Sequence, residues 1–217
     1  MLRALFWVFI PVIANAQSAG FDCKEASNTV EKTICDDSYI SSLDYLLNRY
    51  YKQALDISPN PQSIKDSQHK WLIEARNVCQ NISCLKTEYN KQLHTLETVV
   101  LSRVVQNRNF TGVYESDRGE FLVDQFARNR FRFNSFVVGP YDENKAFSPN
   151  SCQIGGNATL VGDTAYYNDG DECSLIFVFT SSQVTIFQYD CWILTSDVSV
   201  AGKYNLKSKV IKGNPLN

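Results

Sequence analysis

Seven cysteines constrain this chain more than any other feature. Four lie in the first part, as C-x11-C (Cys23, Cys35) and C-x4-C (Cys79, Cys84), and three follow at Cys152, Cys173 and Cys191. Disulfides persist in oxidising compartments, so a set this dense predicts export, and an odd count leaves one thiol over or joined between molecules. The N-terminus reads the same way. Arg3 supplies a positive start, Leu5 to Ile13 an apolar stretch too short to span a bilayer, and Ala14-Asn15-Ala16 a cleavage site before Gln17. Residues 1–16 are therefore read as a signal peptide. No cysteine directly follows the cleavage site, so no lipid anchor is expected.

The remainder is long enough for two small domains, each with its own core. A formal net charge of −2 over 217 residues gives no bulk basic field, so nucleic acid is not an expected partner. Residues 17–106 carry helical patterning. Asn28 and Glu31 form a capping box, Asp36, Asp37 and Ser38 offer caps for a second helix, and Ile40, Leu43, Leu46, Leu47, Tyr50 and Ala54 recur at spacings of three and four. Pro59 and Pro61 end that helix, and Asn60 or Ser63 starts a third that buries Ile64, Trp71, Leu72 and Ala75. A fourth runs from about Cys84 through Leu93 and Val100. This layout favours an inner disulfide Cys35–Cys79 and an outer one Cys23–Cys84, although the sequence leaves three connectivities open.

From Asn109 the period changes to two. Strands are expected at 111–115, 119–126, 129–138, 151–154, 157–161, 173–179, 183–189, 192–195 and 202–207, punctuated by Gly, Asn and Asp. The fold class is thus α+β: a disulfide-linked helical bundle, then over 107–217 an all-β antiparallel barrel or sandwich. Cys152 and Cys173 are expected to join neighbouring strands and leave Cys191 over, with Cys173–Cys191 as the alternative.

The set Cys23, Thr29, Glu31, Ile34-Cys35, Leu43-Asp44, Tyr50, Gln68, Trp71-Leu72, Arg76, Cys79, Cys84-Leu85 and Tyr89 resembles the N-terminal domain of the LprI family of bacterial lysozyme inhibitors, over roughly residues 21–96. The second half is more loosely similar to a β domain of exported proteobacterial proteins, through Cys152-x-Ile-x-Gly156, Cys173 and Gly202-x-Tyr204. It departs from that pattern after Cys191, where Ile193 and Leu194 stand in place of a further cysteine and glycine. The resemblance implies a periplasmic protein that binds lysozyme or another peptidoglycan hydrolase.

No catalytic motif is present: no nucleophile elbow, phosphate loop, zinc helix or dinucleotide fingerprint. His69 and His94 have no second ligand in sequence, so no metal or cofactor is expected. Asn168 to Glu172 has calcium-type oxygen ligands but lacks the 12-residue loop, and reads as a turn. Asp44, Gln68 and Arg76 read as polar residues that cap or bridge within the bundle.

Two features are candidates for partner binding. Arg128, Arg130 and Arg132 alternate, which places three guanidiniums on one strand face opposite Phe131 and Phe133, in a half with nine Lys/Arg against twelve Asp/Glu. The small polar loop Thr195-Ser196-Asp197 is the other. The ridge suits the carboxylate-lined cleft of a muramidase, and the loop is small and polar enough to enter a groove. The expected activity is occlusion of that cleft without catalysis. The alternatives are an immunity protein against a periplasm-acting toxin and a structural factor of the cell envelope.

Overall fold

The computed structural model describes residues 19–103, 108–139, 151–170, 173–191 and 198–209. The signal-peptide reading, the expected strand at 192–195 and Thr195, Ser196 and Asp197 lie outside them. Four α-helices precede eight strands: α1 (Thr29–Asp36), α2 (Ser38–Ile57), α3 (Pro61–Trp71), α4 (Ile82–Arg103), β1 (Gly112–Ser116), β2 (Gly119–Ala127), β3 (Arg130–Val138), β4 (Ser151–Val161), β5 (Thr164–Asn168), β6 (Ser174–Phe179), β7 (Gln183–Tyr189) and β8 (Gly202–Ser208). A 3-10 turn at Cys23–Glu25 leads in, and a π-helical turn at Leu72–Arg76 extends α3.

The helix starts follow from their caps. Asn28 Oδ1 accepts from Glu31 N while Glu31 Oε2 accepts from Asn28 N, the capping box expected of α1. Asp37 Oδ1 accepts from Ile40 N at 2.8 Å to start α2. Asn60 caps α3, with Pro61 as its first residue, where a missing N–H costs nothing.

The strands form one closed antiparallel barrel in sequential order, β1 to β8. Its interior is filled by rings. Phe121 stacks on Phe177 at 5.2 Å, Phe131 meets Phe177 and Phe179 edge-on, and Tyr204 closes on Phe121. Phe110 stacks on Phe179 at 4.5 Å where β6 ends, and Val198 and Val200 pack at the opposite end. An eight-stranded barrel is just wide enough for such side chains, so this interior is a core and not a chamber. Outward positions on β1 to β4 include Glu115, Glu120, Asp124, Arg130, Arg132 and Gln153. Apolar inside and polar outside is the reverse of a lipid-facing barrel. Among the described residues, no helix is long and apolar enough to cross a membrane.

Two of the expected strands are one. β4 runs unbroken through Gly155 and Gly156, where the sequence reads a turn. Gly156 is there for space: a Cβ would lie 2.4 Å from Cε2 of Tyr167, which crosses that point to reach Phe133. Tyr167 belongs to β5, a strand absent from the expected set.

The barrel interior is a core of its own, but the helical half completes its core on the outside of the barrel. β5 to β7 turn apolar side chains outward as well as inward. Ile176, Val161 and Tyr189 on the outer face are buried with Ile40, Leu43 and Leu46 of α2, and Tyr45 packs on Phe187 at 4.7 Å. A polar clasp finishes this contact. Arg49 Nη2 donates to Asp163 Oδ1 and Oδ2 at 2.8 and 3.0 Å, and Gln53 Oε1 accepts from Asp163 N at 3.2 Å. Gly162 occupies the turn with φ +63°, and a Cβ there would lie 1.7 Å from Gln53 Oε1. Gly162→Ala therefore combines left-handed strain of about 1 to 2 kcal/mol with a lost hydrogen bond of about 1 kcal/mol. Chemical denaturation should show a loss of about 2 to 3 kcal/mol, with α2 amides exchanging faster.

The disulfides correct the expected pairing. They are Cys23–Cys35, Cys79–Cys84 and Cys173–Cys191; Cys152 lies outside them. The Cys35–Cys79 and Cys23–Cys84 bonds fail because α1 presents its other end to the turn before α4. Asn28, Thr29 and Val30 face Asn77 to Gln80, and Cys35 is most of the helix length away. The Cys152–Cys173 bond fails because β5 stands between β4 and β6. Cys152 pairs in register with Val137, whereas Ser174 pairs with Tyr189, which brings Cys173 beside Cys191. The alternative named from sequence, Cys173–Cys191, is the one present. Peptide mapping of the oxidised protein should recover Cys23, Cys35, Cys79, Cys84, Cys173 and Cys191 as these three linked pairs.

Candidate functional site

Three polar residues of the resemblance, Asp44, Gln68 and Arg76, line one cleft, with Tyr89 bonded to Asp44 and Glu31 near Arg76 behind it. An open cleft of about 350 Å³ lies between the segment Gly20-Phe21, α2, α3 and the π turn. Asp44, Asn48, Gln68, Trp71 and Arg76 are among its lining residues, and Lys65 and His69 stand exposed at its mouth. It has the small size of a ligand pocket that takes a compact group.

Each side chain is placed by its own element. Asp44 on α2, 6% exposed, has both oxygens engaged: Oδ1 accepts from the Tyr89 hydroxyl at 2.5 Å and Oδ2 from Gly20 N at 2.8 Å. Gly20 O in turn accepts from Asn48 Nδ2 at 2.8 Å, so the chain before the first cysteine is stitched along α2. Glycine is required for that approach, since a Cβ would sit 2.7 Å from Asn48 Cβ. Burial pushes the Asp44 carboxyl above its ordinary pKa, opposed by the bonds from Tyr89 and Gly20 and by the charge of Arg76. The same burial, with the Asp44 charge beside it, holds the Tyr89 hydroxyl protonated far beyond the usual phenol range.

Arg76 ends the π turn. Such turns are rare and recur at functional sites, because the wider coil shifts the following side chains off their α-helical positions. Arg76 is 9% exposed; its Nε donates to Asn77 Oδ1 at 2.9 Å, and its Nη2 stands 3.7 Å from Glu31 Oε1. Glu31 is held below its ordinary pKa, chiefly by hydrogen bonds from Ser27 and with a contribution from Arg76. Gln68 accepts from Gln92 Nε2 at 2.9 Å. Trp71 meets Tyr89 edge-on at 5.3 Å, and its buried indole N–H has no partner among the described residues.

Capping and bridging thus describe Asp44 and Arg76 in part, but the sequence reading missed that they line one cavity with Gln68 and Trp71. The signal was there: Gln68, Trp71, Leu72 and Arg76 are spaced by three, one and four residues, which is one face of a helix.

The candidates on the β half are not brought together. Arg130 and Arg132 do project from the outer face of β3, but Arg128 lies in the turn before it, which corrects the three-residue ridge. Arg132 stands opposite Asp124 of β2, a charge of the other sign. Phe126 and Phe136, 53% and 50% exposed, flank this face. Thr195, Ser196 and Asp197 lie outside the described residues, between β7 and β8 in sequence. His94 does not reach the cleft. No group of three or more His, Cys, Asp or Glu side chains converges among the described residues.

Comparison of the chain with protein-family models, with curated proteins and with solved structures returned no match.

Proposed function

We propose that this chain is an exported periplasmic binding protein that blocks lysozyme or a related peptidoglycan hydrolase, and that it catalyses no reaction of its own. The observation that carries the reading is the convergence of Asp44, Gln68, Trp71, Arg76 and Tyr89, all residues of the resemblance to the lysozyme-inhibitor family, around one cleft of a disulfide-closed helical module. Three disulfides fit an oxidising compartment, and the leader read over residues 1–16 would deliver the chain there. Binding is favoured over catalysis because the one buried carboxylate of the cleft already has both oxygens committed within the fold, so it is not placed to act as a general base.

For the hydrolase, the basic strand face at Arg130 and Arg132, with Arg128 in the adjoining turn, is one plug for a carboxylate-lined cleft, and the loop at Thr195 to Asp197 is the other. A single cleft engages one of them. A pull-down from a periplasmic extract with the tagged mature protein tests the reading. A peptidoglycan hydrolase should be retained by the native protein and lost either with Arg128, Arg130 and Arg132 changed to glutamate or with residues 195–197 replaced by glycine. Retention of no hydrolase would overturn it.

A further inference from the structure

The helical cleft has two cationic side chains, Arg76 and Lys65, against one lining carboxylate, Asp44. Trp71, Arg76 and Lys65 carry donors only. The Trp71 N–H has no partner among the described residues, and Arg76, which bonds Asn77 and Tyr89 with two of its five N–H groups, stands 3.7 Å from the Glu31 carboxylate, beyond hydrogen-bond reach. Gln68, 8% exposed, uses Oε1 to accept from Gln92, which leaves its NH2 without an acceptor among the described residues. Against these, the oxygens of Asp44 are taken by Tyr89 and Gly20. A buried donor without an acceptor is costly, and the Trp71 N–H is one; beside the cationic Arg76 and Lys65 it marks the chemistry missing from the cleft.

We infer that the cleft is a binding site for the carboxylate of a short peptide, received by Gln68 and Arg76, with Lys65 at the mouth and the aliphatic part of the ligand against Leu47 and Leu72. A carboxylate offers acceptors only and matches a donor-rich wall. A neutral sugar brings no counter-charge for Arg76 and Lys65. The small volume suits a terminal residue or one side chain rather than a folded segment. The inference stands on the geometry of the cleft and not on the identity of any hydrolase.

The test uses the full mature protein, nitrogen-15 labelled, with N-acetyl-alanyl-alanine as free acid, the same peptide as its C-terminal amide, N-acetyl-glutamic acid amide and methyl glucoside. The Trp71 indole and Gln68 side-chain resonances are followed, with Trp192→Phe to assign the indole. The free acid or the glutamyl probe should shift both resonances saturably, at least tenfold more tightly than the alanyl amide, and which of the two does so assigns a terminal or a side-chain carboxylate. Gln68→Glu should abolish the shift. Lys65→Gln, at an exposed position, should weaken binding several-fold with Tm unchanged, and it carries the test if Gln68→Glu does not fold. Equal shifts with acid and amide, a shift with glucoside alone, or no shift with any probe would overturn the site. None of these outcomes bears on hydrolase binding, which lysis assays read separately.

Discussion

Asp44→Ala should lower the unfolding free energy at neutral pH by about 2 to 4 kcal/mol, because it strands the buried hydroxyl of Tyr89 and the N–H of Gly20 together. Asp44→Asn, which keeps the shape and one acceptor, should cost less, and it isolates the role of charge. The folded-state pKa of Asp44 is raised by burial. Between the ordinary carboxyl range and that raised value the folded protein holds a proton that the unfolded chain has released. The contribution of this group to stability is therefore present at acid pH and falls as pH rises through that window. Glu31, whose folded pKa is lowered, acts with the opposite sign: its contribution is lost as pH falls. Urea denaturation from pH 4 to 7 should show the stability of the native protein relative to Asp44→Asn declining with pH. A flat or rising difference would mean that the carboxylate is not desolvated as described.

Ile176→Ala should cost about 2 to 5 kcal/mol although it lies on the outside of the barrel. Ile176 is fully buried, with Val161, Tyr189 and the apolar face of α2 around it. Phe177→Ala, one residue on and inside the barrel, should cost about 3 to 5 kcal/mol. Their signatures differ. The first should speed amide exchange in α2 and expose the helical module to proteolysis, whereas the second should loosen the strands around Phe121 and Phe133. If Ile176→Ala leaves α2 as protected as before, the two halves are not joined by a common core.

The helix starts were legible in the sequence because capping is local: Asn28, Asp37 and Asn60 act within three residues of themselves. Most strand positions were legible for the same reason, since period-two alternation is a property of each segment. The disulfides were not, because pairing depends on which end of α1 meets the turn before α4 and on the presence of β5. That strand, Thr164–Asn168, is short and follows a turn, so it read as part of the loop. The joint core left a signal that a closer reading could have used. Leu175-Ile176-Phe177-Val178-Phe179 is apolar at every position, more than a strand covered on one face needs. The cleft was half legible: Gln68 to Arg76 share a helical face, but only the folded chain brings Asp44 and Gly20 to them.

Clearing of a peptidoglycan suspension by a panel of lysozymes, followed with and without saturating amounts of the mature oxidised protein, tests the proposed activity most directly. Inhibition of at least one enzyme, lost when the disulfides are reduced and the fold relaxes, is the predicted result. Undiminished clearing by every enzyme at saturation would contradict it.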